Sequence, residues 1–258
     1  MLAKSHILLP CPESTRGAAN AESSCGGLIL VSAIDNDVVL NAPMFQGMSE
    51  DETSDLTTRL RPLDISRGEI LFREGEPGDR LYIIGSGKIK LGRRAADGRE
   101  NLLAVLGPGE MLGEMTLFDP GARTATATAV AETTVYELSH SDLVDWIKVH
   151  PAVATHLLAS LAARLRRADE SLGDLVFSDV PGRVAKALLD FAKRFGEKSP
   201  EGLRVAHDLT QEEMAQLVGA SRETVNKALA DFSARGWVKR DGRAIVLKDI
   251  PRLERRAR

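Results

Sequence analysis

A chain of 258 residues that is 43% hydrophobic and 28% charged suits two domains with a core each, although its aromatic content is only 4%. No window approaches 18 apolar residues without a charge, which excludes a transmembrane helix. The formal net charge of −3 hides opposite halves: Pro181 to Arg258 holds 17 Lys and Arg against 11 Asp and Glu, whereas residues 1–180 hold 17 against 26, so a basic C-terminal part points to nucleic acid there and to something else upstream.

Residues 1–36 show no periodicity and are rich in Gly, Ser and Ala, so we expect either a disordered extension or the product of a start codon placed too early. Its start, LAKSHILLP, is too short and too poorly flanked for a secretion signal. Cys11 and Cys25 both lie in it and can build no disulfide core, which suits a cytoplasmic protein.

From about Pro62 to Leu138 the texture changes to short β-like runs between glycines, eleven of them from Gly68 to Gly121. The runs are Glu69–Phe72, Leu81–Ile84, Lys88–Leu91, Leu102–Leu106, Thr126–Val130 and Thr134–Leu138, with turn signals at Asp97-Gly98 and Pro108-Gly109. They predict an antiparallel β-roll or jelly roll, placed at residues 37–150. Within it, GEMLGEMTLFDPGART brings Gly113 and Glu114 at a strand end toward Arg123 and Thr124 beyond a turn at Asp119-Pro120-Gly121. Arg is the planar, permanently charged partner of a phosphate, amides and a Thr hydroxyl complete its hydrogen bonds, and a carboxylate accepts from a ribose hydroxyl. The same residues also suit a plain Arg–Glu pair across a hairpin.

A long helix follows, about Pro151 to Phe177, in which Leu158, Leu161, Leu165, Ala168, Leu172 and Leu175 alternate spacings of three and four. That seam favours a parallel coiled coil between two chains over burial within one. Residues 151–178 are thus assigned to dimerisation. Asp179 can cap the next helix with Pro181 in its first turn, which makes Ser178-Asp179 the hinge.

The C-terminal part, residues 179–258, contains TQEEMAQLVGASRETVNKALADF, two helices joined by a tight turn. Thr210 and Glu213 form a capping box, Gly219 ends the first helix and Ser221 starts the second. Val225, Leu229 and Phe232 recur at helical spacing and turn inward, leaving Arg222, Glu223, Asn226 and Lys227 on the free face near the N-terminus. A recognition helix presents that end to base edges, where Arg or Lys suits guanine and Glu suits cytosine. The segment GWVKRDGRAIVL then predicts a hairpin with a type I′ turn at Asp241-Gly242, a wing whose Lys239, Arg240 and Arg243 would lie near phosphates.

The stretches EGEPGDRLYIIGSGKIKL, GEMTLFDPGART and SRETVNKAL resemble, in order and spacing, the cyclic AMP receptor protein family of bacterial transcription regulators. GDRLYII, DGRENLL, FDPG and DVPGRVAK look most like its actinobacterial branch. The resemblance covers roughly residues 40–250 and implies an α+β protein: a cyclic-nucleotide-binding jelly roll, a dimerisation helix and a winged helix-turn-helix. It implies cyclic AMP as allosteric ligand with no metal, Gly113 and Glu114 at the ribose, Arg123 and Thr124 at the phosphate, Met115 in the same ligand site, and a homodimer on palindromic double-stranded DNA. It further implies Ser221, Arg222, Glu223, Thr224, Asn226 and Lys227 at the DNA, TGTGA-like half-sites, and RNA polymerase as a further partner. One feature departs from the family: the seam there offers hydroxyl or amide side chains to the adenine, whereas this chain has Ala168 and Asp169. Ala168 cannot hydrogen-bond; Asp169 can accept from a purine amine and would repel a guanine carbonyl.

Other classes fit less well. An iron–sulfur sensor needs about four thiolate ligands, and the chain has two cysteines. A haem sensor would have to draw on His140, His150, His156 or His207, each of which also reads as solvated or capping. No nucleophile–base pair or metal cluster suggests an enzyme. A roll that controls a partner enzyme leaves Arg222 and the wing without a purpose. A constitutive DNA binder with a degenerate roll is the alternative that Ala168 keeps open.

Overall fold

The computed structural model describes residues 48–95, 100–119 and 121–257. The expected extension with Cys11 and Cys25, the Asp97-Gly98 turn and Pro120 lie outside the described residues. The described residues open with α1 (Glu50–Arg59), started by a Ser49–Glu52 capping box, and enter the roll: β1 (Arg61–Ile65), β2 (Ile70–Phe72), β3 (Arg80–Ser86), β4 (Ile89–Arg94), β5 (Glu100–Leu106), β6 (Met111–Leu112), the short α2 (Met115–Phe118), β7 (Thr126–Ala129) and β8 (Thr133–Ser139). Two antiparallel four-stranded sheets result, ordered β1-β8-β3-β6 and β2-β7-β4-β5. Alternation makes them a sandwich: in β7 Ala127 and Ala129 are buried while Thr126 and Thr128 are not, and the inner faces meet through Ile84, Ile89, Leu112 and Val135.

The outer side of the β3–β8 sheet is covered by helix. Trp146 of α3 (His140–Val149) is fully buried among Leu81, Leu138 and Leu56, and its indole donates to the Glu52 carbonyl at 3.2 Å. The 26-residue α4 (Ala152–Phe177) starts in that same core through Val153 and Leu157 and then leaves it. Leu158, Leu165, Leu172 and Leu175 are 52–66% exposed, so the predicted seam is not packed against its own roll. The helix ends at Ser178, and Asp179 caps α5 (Val180–Phe195) by accepting from the Gly182 amide at 2.9 Å. An ion pair and hydrogen bond from Arg256 hold the Asp179 carboxyl below its ordinary range.

The C-terminal part contains β9 (Gly196–Ser199), β10 (Gly202–Ala206), α6 (Gln211–Val218), α7 (Arg222–Ala234), β11 (Val238–Asp241), β12 (Ala244–Leu247) and α8 (Ile250–Arg256). The wing is therefore not a lone hairpin: its strands join β10 and β9 in a four-stranded sheet, ordered β11-β12-β10-β9. Its turn also corrects the expectation. Asp241 pairs with Ala244, so the two loop residues are Gly242 and Arg243, and Gly242 alone has positive φ, at 60°. That is the sign pattern of a type II′ turn, with glycine first, and it puts Arg243 itself at the tip.

Candidate ligand cavity and nucleic-acid interface

The Gly113–Thr124 cassette forms one wall of a cavity of about 680 Å³, within the range of small-molecule sites. Gly113 follows the short β6 with φ +83°; a Cβ there would lie 2.6 Å from Arg123 Nη1 and 2.9 Å from the Arg80 carbonyl oxygen. Gly78 is needed for the same reason, since its Cβ would stand 2.4 Å from Arg123 Nε. Between the two glycines Arg123 is only 5% exposed. Its Nη1 donates to the Gly113 carbonyl at 2.8 Å and to Thr116 Oγ1 at 3.1 Å, its Nη2 donates to the Arg80 carbonyl at 2.8 Å, and the guanidinium lies 4.4 Å from the Phe72 ring centre. Burial pushes its pKa below the ordinary arginine value, which Tyr82, Asp79 and Glu114 oppose.

Glu114 is 1% exposed, and Oε1 accepts from Arg164 Nη1 of α4 at 2.5 Å. Glu114 Oε2 and Arg123 Nε are buried without a hydrogen-bond partner. A buried carboxylate oxygen and a buried guanidinium N–H of this kind each leave a polar group unmatched. One accepts from a hydroxyl; the other donates to an anionic oxygen. Met115 and Thr124 line the same cavity, the Thr124 hydroxyl lying 3.7 Å from Met115 Sδ, and Ala168 closes it from α4. Asp169 is exposed and is not on this wall. Phe72, Arg80, Thr116 and Arg164 were not singled out from the sequence; nothing in its local pattern distinguishes them from ordinary strand and helix residues. Among the described residues no group of three or more His, Cys, Asp or Glu is placed to hold a metal ion.

The second site is built on caps. Thr210 and Glu213 make the expected capping box on α6, Gly219 ends it in the left-handed region at φ +63°, and Ser221 accepts from the Thr224 amide to start α7. Val225, Leu229 and Phe232 are buried. Ser221, Arg222, Glu223, Thr224 and Lys227 are exposed and Asn226 is half-buried, so the reading face is brought together as the periodicity requires. Gln211, a residue the sequence reading passed over, accepts through Oε1 from Arg222 Nε at 3.3 Å and Asn226 Nδ2 at 3.0 Å. From the wing, Arg240 donates to the Asn226 carbonyl at 3.1 Å, Lys239 pairs with Glu201 at 2.6 Å, and Arg243 is exposed. Arg183 ties the hinge to this unit, donating to the carbonyls of Ser178 at 2.7 Å, Val218 at 2.8 Å and Gly219 at 3.2 Å.

Comparison with known proteins matches residues 62–150 to a cyclic nucleotide-binding domain and residues 182–256 to a Crp-like helix-turn-helix domain. The CRP-like cAMP-activated global transcriptional regulator of Mycobacterium tuberculosis is 54% identical over 223 residues, spanning 86% of this chain and 100% of that protein. The chain belongs to the CRP family. It is a transcription regulator that joins a nucleotide-binding roll to a DNA-binding head, and its similarity runs to the actinobacterial branch. Solved CRP-family folds agree: FixK2 of Bradyrhizobium japonicum superposes with a TM-score of 0.69 at 25% identity, covering 76% of this chain and 96% of that one. The c-di-GMP responsive regulator CLP of Xanthomonas campestris superposes with a TM-score of 0.66 at 25% identity, covering 77% and 99%. Among the described residues no helix is long and apolar enough to cross a membrane.

Proposed function

We propose that the chain is a cytoplasmic homodimer that binds palindromic double-stranded DNA under the control of cyclic AMP. Gly113, Glu114 and Met115 take the ribose, Arg123 and Thr124 the cyclic phosphate, and Ala168 the edge of the purine. Asp169 lies off its own cavity wall, so any carboxylate contact to the purine amine has to come from the second chain. The observation that carries the ligand reading is the pair of orphaned buried atoms, Glu114 Oε2 and Arg123 Nε, which match a ribose hydroxyl and a phosphate oxygen. The 52–66% exposure of Leu158, Leu165, Leu172 and Leu175 along one helix supports the dimer, since an apolar stripe of this length calls for a partner helix.

In this reading residues 37–150 are the ligand domain, 151–178 the dimer helix and hinge, and 179–258 the DNA head. Ser221, Arg222, Glu223, Thr224, Asn226 and Lys227 face the major groove, Lys239, Arg240 and Arg243 the backbone, and RNA polymerase is the further partner. The relative CLP responds to a different nucleotide on the same fold, so the ligand has to be identified by titration. Calorimetry with cyclic AMP, cyclic GMP and c-di-GMP, each followed by anisotropy on a palindromic duplex, tests it. Binding of cyclic AMP above the other two together with tighter DNA binding is the expected result; tight DNA binding unchanged by every nucleotide makes the protein a constitutive binder.

A further inference from the structure

An exposed arginine at the start of a recognition helix has a long, flexible side chain, and placing its fork on one base costs much of that freedom. Arg222 is such a residue, but its side chain is already restrained. Gln211 is the first residue of α6, and its Oε1 accepts from Arg222 Nε at 3.3 Å and from Asn226 Nδ2 at 3.0 Å. Arg222 and Asn226 stand one turn apart on α7, so a single acceptor from the neighbouring helix spans the edge of the reading face. An amide oxygen has two lone pairs; with both taken, the orientation of the Gln211 amide is set.

Asn226 is held from a second side, because its backbone carbonyl accepts from Arg240 of the wing at 3.1 Å. Its Oδ1 is buried without a hydrogen-bond partner. Turning the amide round would not relieve that cost, since Oδ1 would then face Gln211 Oε1, acceptor against acceptor. Asn226 is therefore pinned between the wing and α6, and it supports the glutamine that holds Arg222.

The atom by which Arg222 is held decides what the contact does. Nε is the inner N–H of the guanidinium, while Nη1 and Nη2 make no hydrogen bond or ion pair among the described residues. Those outer groups are the ones that meet guanine O6 and N7 end on. A carboxylate gripping the fork would have occupied its reading end. A neutral amide oxygen on Nε restrains the side chain and leaves that end open.

We propose that Gln211 is a positioning residue for base recognition: it holds Arg222 through Nε, with Asn226 as support, so that the fork is aimed before DNA arrives. The proposal rests on the reading of α7 as the recognition helix. An arginine set in advance loses less freedom on meeting the guanine it matches, and gains nothing at a base pair where its fork finds no acceptors. Gln211 thus contributes to discrimination without touching a base. The competing role for an exposed glutamine at this place is a direct bond to a backbone phosphate, which carries no sequence information.

Anisotropy at saturating cyclic AMP, on a palindromic duplex with TGTGA half-sites and on duplexes altered at the base pair where Arg222→Ala loses its preference, separates the two. Gln211→Met keeps the length and helix propensity but removes the acceptor. It should lower the preference for that base pair about 2- to 12-fold, the cost of ordering one long side chain, and leave affinity for the altered duplexes near the parent's. Gln211→Glu returns an acceptor and should restore the preference, with weaker binding to every duplex because a negative charge now faces the phosphates. In an Arg222→Ala background Gln211→Met should change nothing further, since no fork remains to be aimed. Equal weakening on every duplex by Gln211→Met, or a preference unchanged from the parent, overturns the proposal and leaves Arg222 as a reader. A loss spread evenly over all duplexes by Arg222→Ala itself refutes the base-reading role of Arg222, and that of Gln211 with it.

Discussion

Replacing Arg123 by leucine should cost most of the nucleotide affinity. The side chain has five N–H groups; three donate to Gly113, Thr116 and Arg80, and Nε is buried without a partner. Among the described residues no carboxylate forms an ion pair with it, which supports the proposed cyclic phosphate as its anion. Leaving that phosphate buried without its guanidinium costs on the order of 3–5 kcal/mol. At 1.4 kcal/mol per tenfold this is about 140- to 3,700-fold in Kd, readable by calorimetric titration with cyclic AMP. The variant also strips two buried carbonyls of their donor, so urea unfolding must accompany the titration. Arg123→Lys keeps the charge without the fork and should fall between. Thr124→Ala removes one exposed hydroxyl and should lose only ~1 kcal/mol. A folded Arg123→Leu protein that binds cyclic AMP within about threefold of the parent would show that the phosphate sits elsewhere.

Leu165→Glu places like charges opposite each other in the middle of the seam and should convert dimer to monomer in light scattering; a variant that stays dimeric means α4 is covered by something else. Arg222→Ala should lose roughly 1–3 kcal/mol at one guanine of a palindrome with half-sites ~34–36 Å apart, whereas Arg243→Ala should weaken all sequences alike and lower the salt slope by about one, both readable by footprinting and anisotropy. His207 is buried against Phe191, accepts from the Leu209 amide at 3.1 Å, and its pKa is lowered by burial from 6.5 to about 4. The folded state therefore favours neutral imidazole, its contribution is full above pH 6.5, and ~3 kcal/mol is lost as pH falls from 6.5 to about 4. Urea midpoints at fixed protomer concentration should show this slope in the parent and a flatter one in His207→Gln; equal slopes refute it.

How much of this was legible in the sequence depends on the range of the interaction. Caps and turns are set by residues three or four apart, so Thr210 with Glu213, Gly219 and Ser221 stand where their spacing placed them. The strand runs were readable because alternation and glycine turns are local, and Gly113, Glu114, Arg123 and Thr124 because one turn joins them. The wing turn slipped by one residue, since Asp-Gly and Gly-Arg suit neighbouring turn types equally and only the pairing of Asp241 with Ala244 decides. The strand β9, GEKS, is polar throughout and has no alternation to betray it. The pair Glu114–Arg164 spans 50 residues and Lys88–Asp208 spans 120, distances at which no pattern survives.

Glu213 shows why the unread part matters most for control. Its hydrogen bond to the Thr210 amide is 2.7 Å long and belongs to a capping box that any helix of this kind could use, independent of the rest of the fold. Its second partner, Lys90, is supplied by the roll. The same carboxylate thus caps α6 and at once ties α6 to β4. Glu213→Gln keeps the side-chain carbonyl for the cap but removes the charge that faces Lys90, so helix content by circular dichroism should stay near the parent while ligand-free DNA binding tightens. If helix content and DNA binding instead fall together, Glu213 acts through the cap alone and the ion pair to Lys90 has no part in gating.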